Sequence, residues 1–403
     1  MKHYRFFVLG LAHVPTHKDV SACAYTQKIV KLCTMLKTSG HEVIFLGTEG
    51  SDVACDEFVQ VLSKNTMRMC YGDHNEDKTK FFKHDPSDLA YTTFMKNAIR
   101  EINTRKKDTD FLLNPMGNYY WKVQQGVNLR RTVESGIGYS GVCAGTYKVW
   151  ESYAWMHHIW GMMKVENGLF QDCVIPNYWD TSDFTLGTHD GGYALYMGRL
   201  IYRKGINLAV QLTKELNIPL LIVGQGSLQN PQEGLNITDS HVKHLGTVGH
   251  VERNLLMGKA MVTLCPTLYV GPFEGVNCEA QFTGCPVVTT NFGAFTETVE
   301  HGKTGYRCQS FEEFCWATKN ASKLDSTYIR NRAIGMWSLD TVRQKYDHFF
   351  QHVDQMCGSE GWYAKNPDRV EMNWLTPPSF SSTAPDKDQY EDREHLTTDF
   401  KHV

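Results

Sequence analysis

The sequence predicts an α/β protein of two domains, each with a parallel sheet, and three observations carry that prediction. The chain has 403 residues, whereas a single hydrophobic core stops growing at roughly 250 to 300 residues. Between Tyr193 and Cys308, short apolar runs repeatedly end at glycine and lead into helix-period segments. Near the amino terminus an apolar run, a helix-period segment and a second run form a βαβ unit, whose strands lie parallel.

The first strand is expected at Arg5 to Leu9, followed by a loop to Asp19 that contains His13. Tyr25, Ile29, Leu32, Cys33 and Leu36 then recur at the helical period, and Gly40 stops that helix. A strand over Glu42 to Gly47 completes the unit. Further strands are expected at Phe111 to Leu113 and near Ile137 to Tyr139, a helix over Tyr147 to Met156, and a short strand at Val174 to Asn177. Asp180, Ser182, Asp183, Gly187 and Asp190 to Gly192 make a polar, glycine-bearing link between domains. The first domain is therefore placed at residues 1–190 and the second at 191–337. A helix from Ser338 to about Cys357 presents Val342, Tyr346, Phe349, Phe350 and Val353 on one face. Residues 338–365 form this last helical unit, with a return to the first domain as one option. Beyond it Pro377-Pro378 and the charged run Asp386 to Glu394 lack periodicity, so residues 366–403 are expected to be a mobile tail.

Composition excludes several function classes. Lys and Arg number 41 against 44 Asp and Glu, a formal charge of −3 that gives no electrostatic reason to expect nucleic acid as partner. No window approaches the roughly 20 apolar residues of a transmembrane helix, and the apolar amino terminus, broken by His13, lacks a cleavage site. The twelve cysteines are scattered singly, which fits free thiols in a reducing cytoplasm.

The apolar run ending at Met197 leads into Gly198-Arg199 and then Lys204-Gly205. A second, Leu220 to Val223, ends at Gly224-Gln225-Gly226, and a third, Ala260 to Leu264, leads through Pro266 to the turn Gly271-Pro272-Phe273-Glu274-Gly275 and a helix with Glu279. In open α/β sheets ligands bind past the carboxyl ends of the strands, where glycines let backbone N–H groups reach phosphate at a helix start. Two cations, a carboxylate in half-buried surroundings and several bare turns suit a nucleoside diphosphate. Asp108-Thr109-Asp110 has the form of a metal-diphosphate motif, yet it precedes a strand and so belongs at the wrong end of the sheet. No metal site is expected. His13 follows the first strand on the ligand side, with a structural histidine as the competing reading.

Taken in order, GRLIYRKG, LLIVGQG, VKHLGTVGHVERNLLMGKA, LCPTLYVGPFEGVNCEAQFTGCPVVTT and GAFTETVEHGKTGYRC resemble the C-terminal domain of the family-4 retaining glycosyltransferases. The segment from Ile137 through ESYAWMHHIWG to VIPNYWD is similar to a subgroup found in bacteria, phages and large algal viruses. Residues 50–110 carry no such signal. The resemblance implies the GT-B fold, two Rossmann-like domains facing across a cleft, with a nucleoside diphosphate sugar as donor substrate and no cofactor. It implies Arg199 and Lys204 on the diphosphate, with Gly198 and Gly224 bare beside it, and Glu279 on the ribose as the second glutamate of an E-x7-E motif. Backbone around Val248 matches the base-binding loop, and Phe273 to Val276, with Gly275, the turn whose amides face phosphates and donor sugar. One departure matters: Gly271 stands where the family has its first glutamate, and Glu274 where it usually has glycine. Glu274 thereby joins Arg199, Lys204 and His13 as a catalytic candidate. The implied activity is metal-independent transfer of a hexose-type sugar, with retention, to a glycan or glycoconjugate hydroxyl. The alternatives are a nucleotide-sugar epimerase or hydrolase, or a catalytically silent sugar-nucleotide or glycan-binding protein. The expected location is the cytoplasm, that of the host if the chain is viral.

Overall fold

Four consecutive buried residues, Phe6 to Leu9, make β1 (Arg5–Leu9) apolar on both faces, as a strand in the interior of a parallel sheet must be. The computed structural model describes residues 2–20, 23–72, 84–363 and 365; the segment 366–403, expected as a tail, lies outside them. After β1 come α1 (Ala24–Thr38), β2 (Glu42–Thr48), β3 (Glu57–Leu62), α2 (Lys64–Tyr71) and α3 (Leu89–Asn103). They are followed by β4 (Phe111–Asn114), α4 (Trp121–Val127), β5 (Arg131–Ile137), β6 (Tyr147–Trp150), α5 (Tyr153–Met162) and β7 (Asp172–Val174). These strands form a seven-stranded sheet in the order β3-β2-β1-β4-β5-β6-β7, parallel throughout.

The second domain repeats the scheme. It contains β8 (Ala194–Met197), α6 (Ile206–Glu215), β9 (Leu220–Val223), a small hairpin of β10 (Gln229–Asn230) and β11 (Leu235–Asn236), β12 (Val242–His244) and α7 (His250–Lys259). Then come β13 (Val262–Cys265), α8 (Gly275–Phe282), β14 (Val287–Thr290), α9 (Phe295–Thr298), β15 (Gly305–Cys308), α10 (Phe311–Asn320), α11 (Ser326–Trp337) and α12 (Leu339–Met356). The main sheet is parallel in the order β12-β9-β8-β13-β14-β15, so chain direction across the sheet reverses between β8 and β13. That reversal is the topological switch point, where open α/β sheets collect ligands.

The chain crosses between domains at Trp179 and returns at Ser338, and the two crossings lie side by side. Trp179 N donates to Trp337 O (2.9 Å) and Leu339 N to Trp179 O (2.9 Å). Helix α12 then packs on the first domain: Phe350 is fully buried, with its ring 4.7 Å from Phe6 and 5.4 Å from Phe111. Asp347 accepts from Ser39 Oγ (2.9 Å) and faces His41 Nε2 (3.2 Å), while Asp354 pairs with Arg131 at 2.8 Å. The last helix therefore completes the core of the first domain and closes both crossings.

Three sequence expectations are corrected here. The strand placed near Ile137 to Tyr139 ends at Ile137 and begins at Arg131, because Val133 to Ile137 pair with Tyr147 to Trp150 inside the sheet. The helix expected over Tyr147 to Met156 is a strand followed by a helix. Tyr, Val and Trp favour the pleated surface, and Ser152, whose Oγ accepts from Trp155 N at 3.1 Å, starts α5 only afterwards. The short strand expected at Val174 to Asn177 lies at Asp172–Val174.

Removing the ring that anchors α12 should unfold its attachment. Phe350→Ala should cost about 3–5 kcal/mol in equilibrium denaturation of the full chain; a loss under about 1 kcal/mol would show that α12 contributes little to the first domain.

Candidate active site

Three loops meet above the carboxyl ends of β8, β9 and β12. Gly198 N donates to Val223 O (2.8 Å), and Gly224 N donates to Gly246 O (2.8 Å). A side chain at Gly224, whose φ is +146°, would begin 1.8 Å from Gly198 O, so only glycine lets these loops close on each other. Val248 lies half-buried in the third loop, packed toward the β8–β9 side of the core, just before α7 begins. Arg199, next to Gly198, is exposed, and among the described residues no carboxylate pairs with its guanidinium.

The loops after β8 and β13 are joined by one ion pair. Lys204 Nζ lies 2.6 Å from Glu274 Oε2, with the lysine side chain 19% and the glutamate 8% exposed. Burial works against the Lys204 charge, but the neighbouring Glu274 carboxylate outweighs it and holds the ammonium above the ordinary lysine range. Glu274 itself is in the left-handed region, φ +61° and ψ +61°, at the start of α8. An L-residue there costs about 1 kcal/mol that glycine would not. The geometry explains the departure at Gly271. A Cβ built on Gly271 would lie 2.0 Å from Glu274 Oε1 and 2.7 Å from its Cδ, so the Glu274 carboxylate fills the space in which a side chain at 271 would begin. Glu274 Oε1 is buried and has no hydrogen-bond partner among the described residues, which is costly unless a ligand supplies a donor.

Glu279, one turn further along α8, accepts from Arg253 Nη1 (2.9 Å) and from Trp179 Nε1 (3.2 Å). Burial opposes its charge, and Arg253, with Lys31 of α1 behind it, holds the carboxyl below its ordinary range. Lys31 comes from the first domain and sits 4.8 Å above the Trp179 ring; burial lowers its ammonium to about 8. The Phe273 side chain turns inward, stacking on Trp179 (6.1 Å) and edge-on to Trp337 (6.3 Å), and is 3% exposed. Phe273 thus anchors the turn from beneath, and Gly275, against the Trp179 ring, and Val276 follow at the start of α8.

The first domain grips the same turn. Ser152 Oγ donates to Pro272 O (2.6 Å), and the amides of Tyr153 and Ala154 donate to the Glu297 carboxylate (3.0 and 2.8 Å). An acidic side chain of the second domain therefore caps α5 of the first, where exposed N–H groups and the helix dipole favour negative charge.

The structure brings Lys204 and Glu274 into contact, with Glu279 on the same helix and Arg199 on the same loop as Lys204. It does not bring His13 to them: His13 is 2% exposed, held by Tyr91 OH at 2.7 Å and stacked on His84 at 4.0 Å, all within the first domain. Burial pushes its imidazole well below the ordinary range. Asp110, at the amino end of β4, is occupied by Arg5 through two hydrogen bonds of 3.0 and 2.5 Å. Sequence reasoning missed Arg253, Trp179, Lys31 and Glu297. Their partners lie far along the chain, so no local pattern singles them out.

Residues 191–322, which lie in the second domain, match the family described as glycosyl transferases group 1. Spore coat protein SA of Bacillus subtilis (strain 168) is 25% identical over 172 residues, 38% of this chain and 44% of that protein. The glycogen synthase of Mycobacterium tuberculosis is 33% identical over 122 residues, 28% of this chain and 29% of that protein. The chain thus spans less than half the length of these curated relatives. Sucrose-phosphate synthase from Thermosynechococcus elongatus superposes with a TM-score of 0.63 at 15% identity, over 87% of this chain and 99% of that one. Alr3699/HepE of Anabaena, crystallised with UDP-glucose, gives a TM-score of 0.58 at 13% identity, over 87% of this chain and 100% of that one. The fold is therefore GT-B, two parallel-sheet Rossmann-like domains. Among the described residues no helix is long and apolar enough to cross a membrane.

If Glu297 ties the domains together, Glu297→Ala should free the Tyr153 and Ala154 amides. A lost cap is worth about 1 kcal/mol, so their hydrogen exchange should quicken about fivefold, while amides of the β8 to β13 core keep their rates. Unchanged exchange at both amides would show that the contact contributes nothing in solution.

Proposed function

We propose that the protein is a metal-independent retaining glycosyltransferase that moves a sugar from a nucleoside diphosphate sugar to a glycan hydroxyl. The observation that carries this reading is the Lys204–Glu274 pair at the switch point, with Glu274 Oε1 buried, unpartnered and lodged in the space beside Gly271. A sugar hydroxyl would supply the donor that Oε1 lacks. Arg199 and Lys204 would face the diphosphate, the amides that open α8 would meet its oxygens, and Glu279 would accept from the ribose hydroxyls. Backbone near Val248 would flank the base.

The chemistry follows from the charge that develops. The bond between the anomeric carbon and the diphosphate oxygen breaks, and negative charge grows on the leaving phosphate. The acceptor oxygen bonds to that carbon from the same face, and its proton passes to the leaving phosphate oxygen. Preorganised cations and helix-terminal amides stabilise such charge without reorganising. With two cations and a helix start present, no metal need share the task. His13 has no part in this reading, since its contacts lie inside the first domain.

Nucleoside diphosphates should raise the melting temperature, because a ligand that binds only the folded chain stabilises it. Arg199→Ala and Lys204→Ala should each weaken diphosphate binding by roughly 1.5 to 3 kcal/mol, the range for hydrogen bonds to charged groups. Unchanged diphosphate affinity in both variants would remove the donor-site assignment.

Sugar transfer should continue in excess EDTA. Complete loss with chelator, restored by manganese or magnesium, would contradict the metal-free mechanism.

The decisive comparison concerns Glu274. Glu274→Ala should slow turnover at least about tenfold, roughly 1.4 kcal/mol of barrier, with little change in nucleotide affinity. Gly271→Glu alone should also be impaired, because its side chain would displace the Glu274 carboxylate from Lys204. The exchange Gly271→Glu with Glu274→Gly returns a carboxylate to the same space and relieves the left-handed backbone, so it should keep measurable activity. Transfer by Glu274→Ala at the parent rate would end the assignment. A parent that transfers nothing, alongside an exchange variant that does, would favour the silent binding protein.

A further inference from the structure

The first domain contains a second cavity, of about 610 Å³, flanked by β6, β7 and α5. Its lining includes Arg130, Lys148 and Asp172, which stand at the amino ends of β5, β6 and β7, so it opens toward the end of the sheet away from the cleft. Trp160 is half-buried at its wall and Trp150 is fully buried beside it, and both indoles are fixed by one carboxylate. Trp150 Nε1 donates to Asp172 Oδ2 at 2.8 Å and Trp160 Nε1 to the same atom at 3.2 Å. Among the described residues, Asp172 Oδ1 receives no hydrogen bond. Lys148 Nζ donates once, to Thr146 O at 3.2 Å, and its ammonium has further donors to give. Met163 and Leu169 complete an apolar rim.

We infer that this cavity is a carbohydrate-binding site, which takes an oligosaccharide against the Trp160 indole with its hydroxyls on Asp172 and Lys148. Pyranose rings have C–H faces that pack on flat aromatic surfaces and edges of hydroxyls that both donate and accept. The cavity offers the complementary set: the flat Trp160 ring, the acceptor-only Asp172 carboxylate and the donor-only Arg130 and Lys148. Its volume lies within the roughly 300–1000 Å³ of small-molecule sites. An acyl chain fits it poorly, because filling the cavity with hydrocarbon would strip water from Asp172 and Lys148 without replacing their hydrogen bonds. The site stands apart from the donor loops, so it does not depend on transfer in the cleft; it would hold a glycan chain at a distance from the reacting end.

The test is calorimetric titration of the full chain with maltotriose, cellotriose, chitotriose and mannotriose. At least one should bind with a Kd below about 1 mM. Trp160→Ala should weaken that binding at least tenfold. Ala144→Trp, at an exposed loop position that lines the cavity, should block it without touching the core. Both variants should keep the parent's nucleoside diphosphate affinity, which reads the other domain. Failure of all four trisaccharides to bind, or binding left intact by both variants, overturns the inference. Binding of the parent to phosphatidylglycerol vesicles in place of any trisaccharide would overturn it in favour of a lipid site.

Discussion

A buried carboxylate must be paired, and the Lys204–Glu274 contact meets that requirement at the one place where the second sheet changes direction. Lys204 follows β8 and Glu274 follows β13, so the pair draws together the two loops that diverge at the switch point. Neither partner would be stable there alone, since an uncompensated buried charge costs several kcal/mol. The pair also leaves work undone. Lys204 retains donors, and Glu274 Oε1 has no partner among the described residues, so the site is neutralised but not satisfied. That state suits a pocket that exchanges internal contacts for those of an anionic, hydroxyl-rich ligand.

The rest of the architecture supports the same turn from both sides. Phe273 fixes it from below against Trp179 and Trp337, next to the paired crossings at Trp179 and Ser338. Ser152 holds Pro272 from the first domain, and Glu297 reaches back to cap α5. Lys31 and Arg253 converge on Glu279 from different domains. Any change in the angle between domains must therefore alter contacts within a few residues of Glu274 and Glu279. The contacts between the domains and the Lys204–Glu274 pair are linked through the same short stretch of chain.

How much of this was legible depends on the range of the interaction. The strands Arg5–Leu9 and Leu220–Val223 were readable because an apolar run bounded by glycine is a local signal. Lys204 was singled out as a candidate because it follows such a strand end, Glu279 because its helix is half-buried, and Glu274 only through the family resemblance that marked the departure at Gly271. Tyr147–Trp150 was misread as helix because its register is set by pairing with β5, which no local pattern reveals. His13 was placed on the correct loop, but its fate is decided by Tyr91, distant in sequence and adjacent in space. Arg253 and Lys31 were not singled out for the same reason. The Gly271 departure was visible as a missing residue; that Glu274 fills the vacated space needed a left-handed φ and a distance to Gly271.

We propose that the Glu274 carboxylate does from its own position what a glutamate at 271 would do. The most direct measurement is a crystal structure of the chain with an intact, non-hydrolysable analogue of the nucleoside diphosphate sugar that stabilises it most. The account requires Glu274 Oε1 within hydrogen-bond distance, about 2.5–3.0 Å, of a donor-sugar hydroxyl, with Lys204 shared between Glu274 and the diphosphate. A carboxylate turned away from a bound sugar, with Lys204 alone on the phosphates, would contradict it.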